Sequence, residues 1–341
     1  MVRDRNEISR PLNLRVGDVV VVRSRREILS TLDDNGCLEG LPFMPEMLEY
    51  CGRMVTVGKS AHKTCDTITK AGLRYMRNTV HLEDIRCNGR GHGDCEATCL
   101  IYWKEGWLKK IDHGRKASSD VENAEVTGRI ELHDAADSGM DDLEALVTRS
   151  ATVRKNSESA GTRYSCQITS ILKASTPYHT WNVSHYLKDL SSGNVTVGEL
   201  VKGAGIGLFN ILQRWRGGRT YPFMDEKLMQ RKSTPYEHKN LQAGDMVRIR
   251  PLDEILGTLD VRGKNRGLFF DREMVRYCGR TAKVLKRVTK IINESTGEML
   301  HIPNGCVILE GVICRGDASY KRMFCPRGIY PFWREIWLIK L

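Results

Sequence analysis

Tyr50-Cys51-Gly52-Arg53 recurs 227 residues later as Tyr277-Cys278-Gly279-Arg280, and this repeated corner decides the fold of the chain. Because chance matches would not keep register over about ninety positions, the chain contains two copies of one unit. The matching segments are Gly17-Asp18 and Gly244-Asp245, Glu27-Ile28-Leu29 and Glu254-Ile255-Leu256, Thr31-Leu32-Asp33 and Thr258-Leu259-Asp260, Glu46-Met47 and Glu273-Met274, Cys87 and Cys314, and, after a three-residue insertion that moves the offset to 230, Cys95 and Cys325, Trp103 and Trp333, and Trp107 and Trp337.

Short β-rich runs follow one another within each copy. In the first copy, Val19-Val20-Val21-Val22 follows the Gly-Asp turn and Met54-Val55-Thr56-Val57 follows the Cys-Gly-Arg corner. Thr79-Val80-His81-Leu82 comes next, and Trp107-Leu108 closes the unit. Runs of this length and composition are typical of β-strands. The predicted fold class is therefore α+β, with two SH3-like β-barrel repeats that flank a helical middle segment.

Composition changes twice between the copies and sets the predicted domain boundaries. The stretch after the first barrel is rich in Asp, Glu, Ser, Ala and Gly, which is typical of a flexible linker, and a helical period follows it. Helices are expected at 167–173, 183–190 and 197–215, the last as a buried amphipathic helix. The predicted domains are a first barrel with a metal site at 1–115, a linker at 116–163, a helical insert at 164–235 and a second barrel at 236–341.

Two resemblances support the duplicated barrel. Gly244-Asp245-x-Val247-Arg248-Ile249-Arg250, together with Tyr277-Cys278-Gly279-Arg280-Thr281-Ala282-Lys283-Val284, is similar to the barrel of nitrile hydratase β subunits, and the pattern resembles SH3-like barrels of the KOW kind. The two-copy arrangement, with its Phe-Cys-Pro-Arg ending at 324–327, resembles an uncharacterised family of bacterial two-repeat proteins. These resemblances imply duplicated SH3-like barrels and no particular activity.

A cysteine-rich loop in the first copy predicts a metal site. Cys87-Asn-Gly-Arg-Gly-His92-Gly-Asp-Cys95-Glu-Ala-Thr-Cys99 places three thiols and an imidazole among glycines that let the backbone fold back, and His62-Lys-Thr-Cys65 lies upstream. Structural zinc suits a closed shell of such ligands, with an iron–sulfur cluster or a catalytic zinc as the alternatives. The predicted ligands are Cys65, Cys87, Cys95 and Cys99, with His62 or His92 able to replace one of them.

Three other side chains have sequence contexts that suggest a role. Glu105 and Glu335 each lie between two tryptophans and are expected to form salt bridges with the arginines of the Cys-Gly-Arg corners. Cys166 follows Tyr164-Ser165 at the start of the predicted helical segment. A thiol at a helix N-terminus could act as a nucleophile, since the helix dipole would lower its pKa.

Charge and cysteine content limit the class of protein. The net charge is +11, which allows an anionic partner such as nucleic acid, although acidic residues are interspersed throughout. The eleven cysteines and the polar N-terminus favour a cytoplasmic protein with reduced thiols. No apolar run approaches the roughly 20 residues that span a bilayer, so no membrane partner is expected.

The function that these features favour is that of a metal-binding accessory protein that docks a protein partner. No Walker loop, nucleotide-binding glycine motif or Gly-x-Ser-x-Gly elbow occurs in the sequence. Two alternatives stay open: a metalloenzyme that uses the Cys/His site of the first barrel, and a nucleic-acid-binding protein with KOW-like barrels.

Overall fold

A computed structural model describes the chain over residues 11–111, 140–153, 161–178, 182–317 and 322–341. The chain divides into two compact units, each of which holds most of one copy of the repeat. The first unit comprises Met1–Cys95, Leu100–Val195 and Ile292–Met299, and the second comprises Glu96–Cys99, Thr196–Ile291 and Leu300–Leu341. Each unit contains a sheet that curls into a half-barrel, and helices are few. The α+β class is thus confirmed, whereas the SH3-like identity and the helical middle segment stay predictions.

The described elements are short, as the sequence pattern indicates. The strands are β1 (Val19–Val22), β2 (Cys37–Leu38), β3 (Leu41–Pro42), β4 (Met54–Ser60), β5 (Lys63–Cys65), β6 (Leu73–Tyr75), β7 (Thr79–Arg86), β8 (Leu100–Lys104), β9 (Leu108–Lys110), β10 (Thr152–Val153), β11 (Arg163–Tyr164), β12 (Thr176–Pro177), β13 (Met246–Ile249), β14 (Lys264–Asn265), β15 (Leu268–Phe269), β16 (Thr281–Ile292), β17 (Met299–Leu309) and β18 (Leu338–Lys340). The helices are α1 (Arg25–Leu29), α2 (Met140–Ser150), α3 (Ser184–Ser191), α4 (Val197–Trp215) and α5 (Leu252–Leu256). Short 3-10 turns lie at Pro45–Tyr50, Arg90–His92, Glu105–Trp107, Glu226–Leu228, Arg272–Tyr277 and Glu335–Trp337.

The sheet of the first unit is antiparallel, with strand order β8-β7-β4-β1-β9. Val20 and Val22 of β1 are fully buried and alternate with half-buried neighbours, which is the period of a strand with one face on the core. Under this sheet the ring of Phe43 meets Trp103 and Trp107 edge to face, at centroid distances of 6.2 and 5.2 Å.

The second unit repeats the same pairings, in the order β17-β16-β13-β18. Val247 pairs with Ala282 and Ile249 with Leu338, at the positions where Val20 pairs with Val55 and Val22 with Leu108 in the first unit. Phe270 contacts Trp333 and Trp337 edge to face at 6.1 and 5.4 Å. The tryptophans at the end of each repeat are therefore core residues of its half-barrel.

The segment between the sheets departs in one place from the predicted helices. Turns cover 167–173, where a helix was expected, while α3 and α4 occupy the other two predicted positions. The amide group of Gln167 explains this difference, because it accepts a hydrogen bond from Tyr102 N at 2.8 Å and donates one to Tyr102 O at 2.8 Å. These bonds to β8 outweigh the weak helical preference of so short a segment.

The predicted linker and insert are described in part. Within 116–163, residues 140–153 form α2 and β10, and Leu143 and Val147 of α2 are buried. The boundary between the two units at Val195 falls inside the predicted insert. Among the described residues, no helix has both the length and the apolar character needed to cross a bilayer.

A buried carboxylate fixes the start of each repeat. Glu105 accepts hydrogen bonds from the backbone amides of residues 12–14 at 2.7 to 3.1 Å, and Glu335 accepts them from residues 239–241 at 2.5 to 3.3 Å. Glu335 also pairs with Arg287 at 2.5 Å. The expected salt bridges to the corner arginines are thus replaced by bonds to the backbone. In both units the same glutamate ties the entry of the repeat to its last turn.

We predict that Glu105→Gln lowers the free energy of unfolding of the first unit by about 2–3 kcal/mol, because three hydrogen bonds from backbone amides, one of them on a buried residue, weaken together. Urea unfolding followed by tryptophan fluorescence measures this loss. Glu83→Gln, at an exposed position of β7, serves as the control and should change the midpoint little. Equal midpoints for the Glu105 variant and the unsubstituted protein would contradict the role assigned to this carboxylate.

Candidate metal centre

Glycines shape the loop that carries Cys87 and His92. Gly89 and Gly93 adopt left-handed conformations, with φ of 78° and 62°, on either side of the 3-10 turn Arg90–His92. A Cβ atom on Gly89 would collide with the carbonyl group of Cys95, so the loop closes on itself only with glycine there. The closure turns the His92 side chain inward, where it is 1% exposed.

Glu46 enters the same place from the 3-10 turn Pro45–Tyr50. Its side chain is 6% exposed, and its Oε1 accepts a hydrogen bond from the backbone amide of Gly91 at 3.0 Å. A Cβ atom on Gly91 would lie 2.9 Å from the Pro45 ring, so glycine is required for the loop to approach this turn. Gly91 thus allows the loop to come within hydrogen-bond distance of the Glu46 carboxylate.

Glu46, Cys87 and His92 form a group that could hold a metal ion. One ligand atom from each lies within 4.8 Å of the other two. Nδ1 of His92 lies 2.8 Å from Oε1 of Glu46, and Sγ of Cys87 lies 3.7 Å from the same oxygen. Oε2 of Glu46 is buried and has no hydrogen-bond partner among the described residues. A thiolate, an imidazole and a carboxylate are each common zinc ligands.

Both ring nitrogens of His92 face oxygen atoms. Nδ1 faces Glu46, and Nε2 lies 3.1 Å from the backbone carbonyl of Ser165. Since a carbonyl only accepts, Nε2 is the donor in this arrangement, and Nδ1 is the nitrogen that faces Glu46. A hydrogen bond from the second ring nitrogen to a backbone carbonyl is the usual way in which proteins orient a metal-binding histidine.

The charge state of Glu46 suits a metal ligand. Burial acts to raise the pKa of Glu46, but the hydrogen bond and charge of His92, helped by the amide of Gly91, outweigh it and lower the pKa. The carboxylate is therefore ionised at neutral pH, as a carboxylate ligand of a metal ion must be.

The other predicted ligands have contacts of their own. Cys65 is buried in β5 opposite Leu73, and Cys95 Sγ accepts a hydrogen bond from the Ile292 amide at 3.4 Å. Within the described part of the chain, the residues whose ligand atoms come together within 4.8 Å in a group of three are Glu46, Cys87 and His92. Metal binding by Cys65, Cys95, Cys99 or His62 stays a prediction.

His62 lies instead in a buried ionic cluster of the first unit. Its Nε2 is 3.4 Å from Oδ1 of Asp189, and Lys63 Nζ is 2.5 Å from Oδ2 of the same carboxylate. Nδ1 of His185 lies 3.3 Å from Lys63 Nζ. The Lys63 and Asp189 side chains are fully buried, which is tolerated because each charge has the other as its partner. The cluster joins β5 to α3.

Three thiols outside the candidate centre, those of Cys51, Cys166 and Cys278, lack the properties of nucleophiles. Burial raises the pKa of Cys166, and the nearby Cys95 adds to this effect. Turns rather than a helix follow Cys166, so the helix dipole expected to activate it is not formed. Burial likewise raises the pKa of Cys51 to about 11 and that of Cys278 to about 12. These thiols stay protonated at neutral pH and pack as small apolar groups.

Glu46 is the functional residue that the sequence analysis missed. The repeat contains a signal that could have revealed it, because Glu46-Met47 recurs as Glu273-Met274 and a glutamate beside core positions needs a partner. Glu273 is 1% exposed in the matching turn Arg272–Tyr277. The second copy keeps the glutamate and Cys314 but has no histidine between Cys314 and Cys325.

In comparisons with known proteins, no family model, curated protein or solved structure matches the chain. The geometry and chemistry of the group therefore carry the functional argument.

We predict that the first unit loses stability as the pH falls from about 6.5 towards 4. Burial and then the charge of Lys63 lower the pKa of His62 to about 3 and that of His185 to about 4. A group whose pKa is lower in the folded protein than in the unfolded chain makes its full contribution to stability above the unfolded pKa. As the pH falls from the unfolded pKa towards the folded pKa, the unfolded chain binds protons more readily than the folded protein, and this contribution to stability is lost.

Chemical unfolding at a series of pH values measures this dependence. His185→Gln should flatten it between pH 6.5 and 4, whereas His301→Gln, at an exposed position, should not. A dependence that is the same in all three proteins would show that the buried histidines do not control acid stability.

Proposed function

We propose that this chain is a zinc-binding accessory protein whose first repeat holds one zinc ion through Glu46, Cys87 and His92. The observation that carries the proposal is the buried meeting of three ligand types within 4.8 Å, with one carboxylate oxygen unused. Cys87 would bind as thiolate, His92 through Nδ1 and Glu46 through a carboxylate oxygen. Zinc would supply the positive charge that balances the two anionic ligands.

The composition of the group favours zinc over an iron–sulfur cluster. Iron–sulfur clusters are held mainly by several thiolates, whereas this group offers one. Calcium and magnesium prefer oxygen ligands only, so the sulfur and nitrogen atoms argue against them. A mixed set with sulfur, nitrogen and oxygen donors suits zinc.

Burial favours a structural role for the ion. His92 and Glu46 are 1% and 6% exposed, and the loop glycines leave no space for added side chains around them. A structural ion here would join the turn Pro45–Tyr50 to the loop after β7, which are two segments with little regular structure of their own. Metal binding would then contribute to the folding free energy of the first unit.

A catalytic zinc is the second candidate, because three protein ligands leave the fourth position for water. Cobalt substitution separates the two roles. In the structural case the visible spectrum of the cobalt protein should not change when azide is added. A change in that spectrum would show an exchangeable coordination position and would favour the metalloenzyme.

The accessory role is supported by the architecture of the repeats, in which buried tryptophan pairs and carboxylates maintain two half-barrels. We propose a protein partner and a cytoplasmic location, where the Cys87 thiol stays reduced. Nucleic acid remains the alternative partner because of the net charge of +11. Binding to RNA or DNA with an affinity that falls steeply as the salt concentration rises would favour that alternative.

We predict that the purified protein contains about one zinc per chain and that Glu46→Gln, Cys87→Ser and His92→Gln each lose most of it. Mass spectrometry of bound metals measures the content. Glu273→Gln and Cys314→Ser are matched controls at the same positions of the second repeat and should keep the zinc. Zinc-free protein, or equal loss in the matched controls, would contradict the site.

We also predict that Cys95→Ser keeps its zinc, because Cys95 Sγ already accepts a bond from the Ile292 amide and serine can accept the same bond. The same metal analysis separates this arrangement from a shell of four thiols. If Cys95→Ser loses zinc as completely as Cys87→Ser does, the four-cysteine shell expected from the sequence is the correct one.

A further inference from the structure

The longest helix of the second unit turns its apolar side outward. Helix α4 contains 19 residues, and its buried positions are Gly203, Asn210 and Gln213. Large apolar side chains lie on the opposite side, where Leu208 is 60% exposed and Trp215 is 88% exposed. This distribution is the reverse of that in an ordinary surface helix, whose apolar stripe faces the core.

Specific contacts hold the helix in this orientation. The amide of Asn210 donates to the Tyr221 carbonyl at 2.8 Å and accepts from the Tyr221 backbone amide at 2.6 Å. Gly203 lies so close to the Phe324 ring that a Cβ atom there would collide with it. Rotation of the helix to bury its apolar side would break these contacts. The outward face is therefore a fixed property of the second unit.

The exposed apolar residues follow a coiled-coil spacing. Successive members are four, three, four, three and four residues apart, which is the heptad pattern of a seam between two helices. The seam consists of Val197, Val201, Ala204, Leu208, Ile211 and Trp215, all exposed. Leu212 lies beside it and is also exposed. A heptad seam indicates that a second helix covers this face.

The order of residue sizes along the seam specifies the direction of that helix. The spacing reads the same from either end, so an antiparallel copy of α4 places Trp215 against Val197, Ile211 against Val201 and Leu208 against Ala204. Each layer then pairs a larger side chain with a smaller one, which fills space evenly. A parallel copy would set tryptophan against tryptophan and alanine against alanine.

We propose that α4 is a homodimerisation helix, which pairs in antiparallel fashion with α4 of a second copy about a two-fold axis that crosses the seam midway between Ala204 and Leu208. Such an interface uses the same surface on both copies and closes without further growth. The helix is about 28 Å long, so the pair buries less surface than a standard interface and has a dissociation constant on the order of 1–10 μM.

Sedimentation velocity of the full chain between about 1 and 100 μM tests this proposal, with the sedimentation coefficient expected to rise from that of a monomer to that of a dimer. Leu208→Glu should raise the dissociation constant at least tenfold. Lys202→Glu, which changes charge off the seam, should leave it within about twofold. Circular dichroism of both variants checks that α4 remains folded.

The orientation has its own test. Val201→Glu and Ile211→Lys should each weaken the dimer, because a charge would face an apolar residue of the second copy. The double variant should recover it in the antiparallel arrangement, where glutamate meets lysine, but not in a parallel one. Failure to recover while both single variants stay folded would overturn the antiparallel pairing.

Two further outcomes would overturn the proposal as a whole. One is a chain that is monomeric up to 100 μM, and the other is a dimer that Leu208→Glu leaves intact. A monomeric chain that sediments with vesicles of anionic phospholipid, and that Leu208→Glu releases, would assign the face to a lipid surface instead.

Discussion

A buried carboxylate that collects backbone amides is the interaction on which each half-barrel depends. Glu105 and Glu335 each gather three consecutive amides from the segment that enters the first strand of their repeat. The last amide of each set, that of Leu14 or Leu241, belongs to a buried residue and would cost about 1–3 kcal/mol if left without a partner. The carboxylate removes this cost and at the same time joins the two ends of the repeat.

Other features of each repeat follow from that closure. Once the entry segment is fixed, β1 or β13 lies between two antiparallel neighbours, and the alternating valines and isoleucines face a core of one phenylalanine and two tryptophans. For Glu335, burial acts to raise the pKa, but the Lys239 amide and the Arg287 guanidinium outweigh it, so that the pKa lies below its usual range. The closing interaction is therefore retained at neutral pH, where the carboxylate is charged.

Comparison of the two copies distinguishes residues that both repeats share from residues that occur in the first repeat alone. Glu46 and Cys87 have counterparts in Glu273 and Cys314, so neither residue alone distinguishes the first repeat. His92 does, and it reaches Glu46 only because the glycines of the loop allow close approach. A single histidine, which has no counterpart between Cys314 and Cys325 of the second copy, changes a shared buried glutamate into part of a candidate metal centre.

The strand pattern was predictable from the sequence because the copies could be compared, and the matching register of Val20 with Val55 and Val247 with Ala282 reflects this. The site was predictable only in part. Cys87 and His92 were found from ligand type and spacing, whereas spacing could not show that the Cys95 thiol accepts a bond from Ile292. Glu46 was missed because a single buried glutamate has no spacing pattern.

For helix α4, the sequence predicted the position of the helix but not which of its faces is buried. Its hydropathy predicted a buried amphipathic helix, and its length and bounds agree with that expectation. The apolar face of the helix is exposed, however, and not buried as expected. Asn210 bonds to Tyr221 and Gly203 packs on Phe324, and the local hydropathy pattern does not reveal either of these contacts with other segments. Periodicity gives the faces of a helix, but tertiary hydrogen bonds decide which face is buried.

Backbone groups orient two of the three side chains of the candidate centre. The Gly91 amide donates to the carboxylate of Glu46, and the Ser165 carbonyl accepts from Nε2 of His92. Neither of these bonds would depend on a metal ion. If the group held zinc, side chains oriented in this way would lose little conformational entropy on binding, and binding would be stronger for that reason.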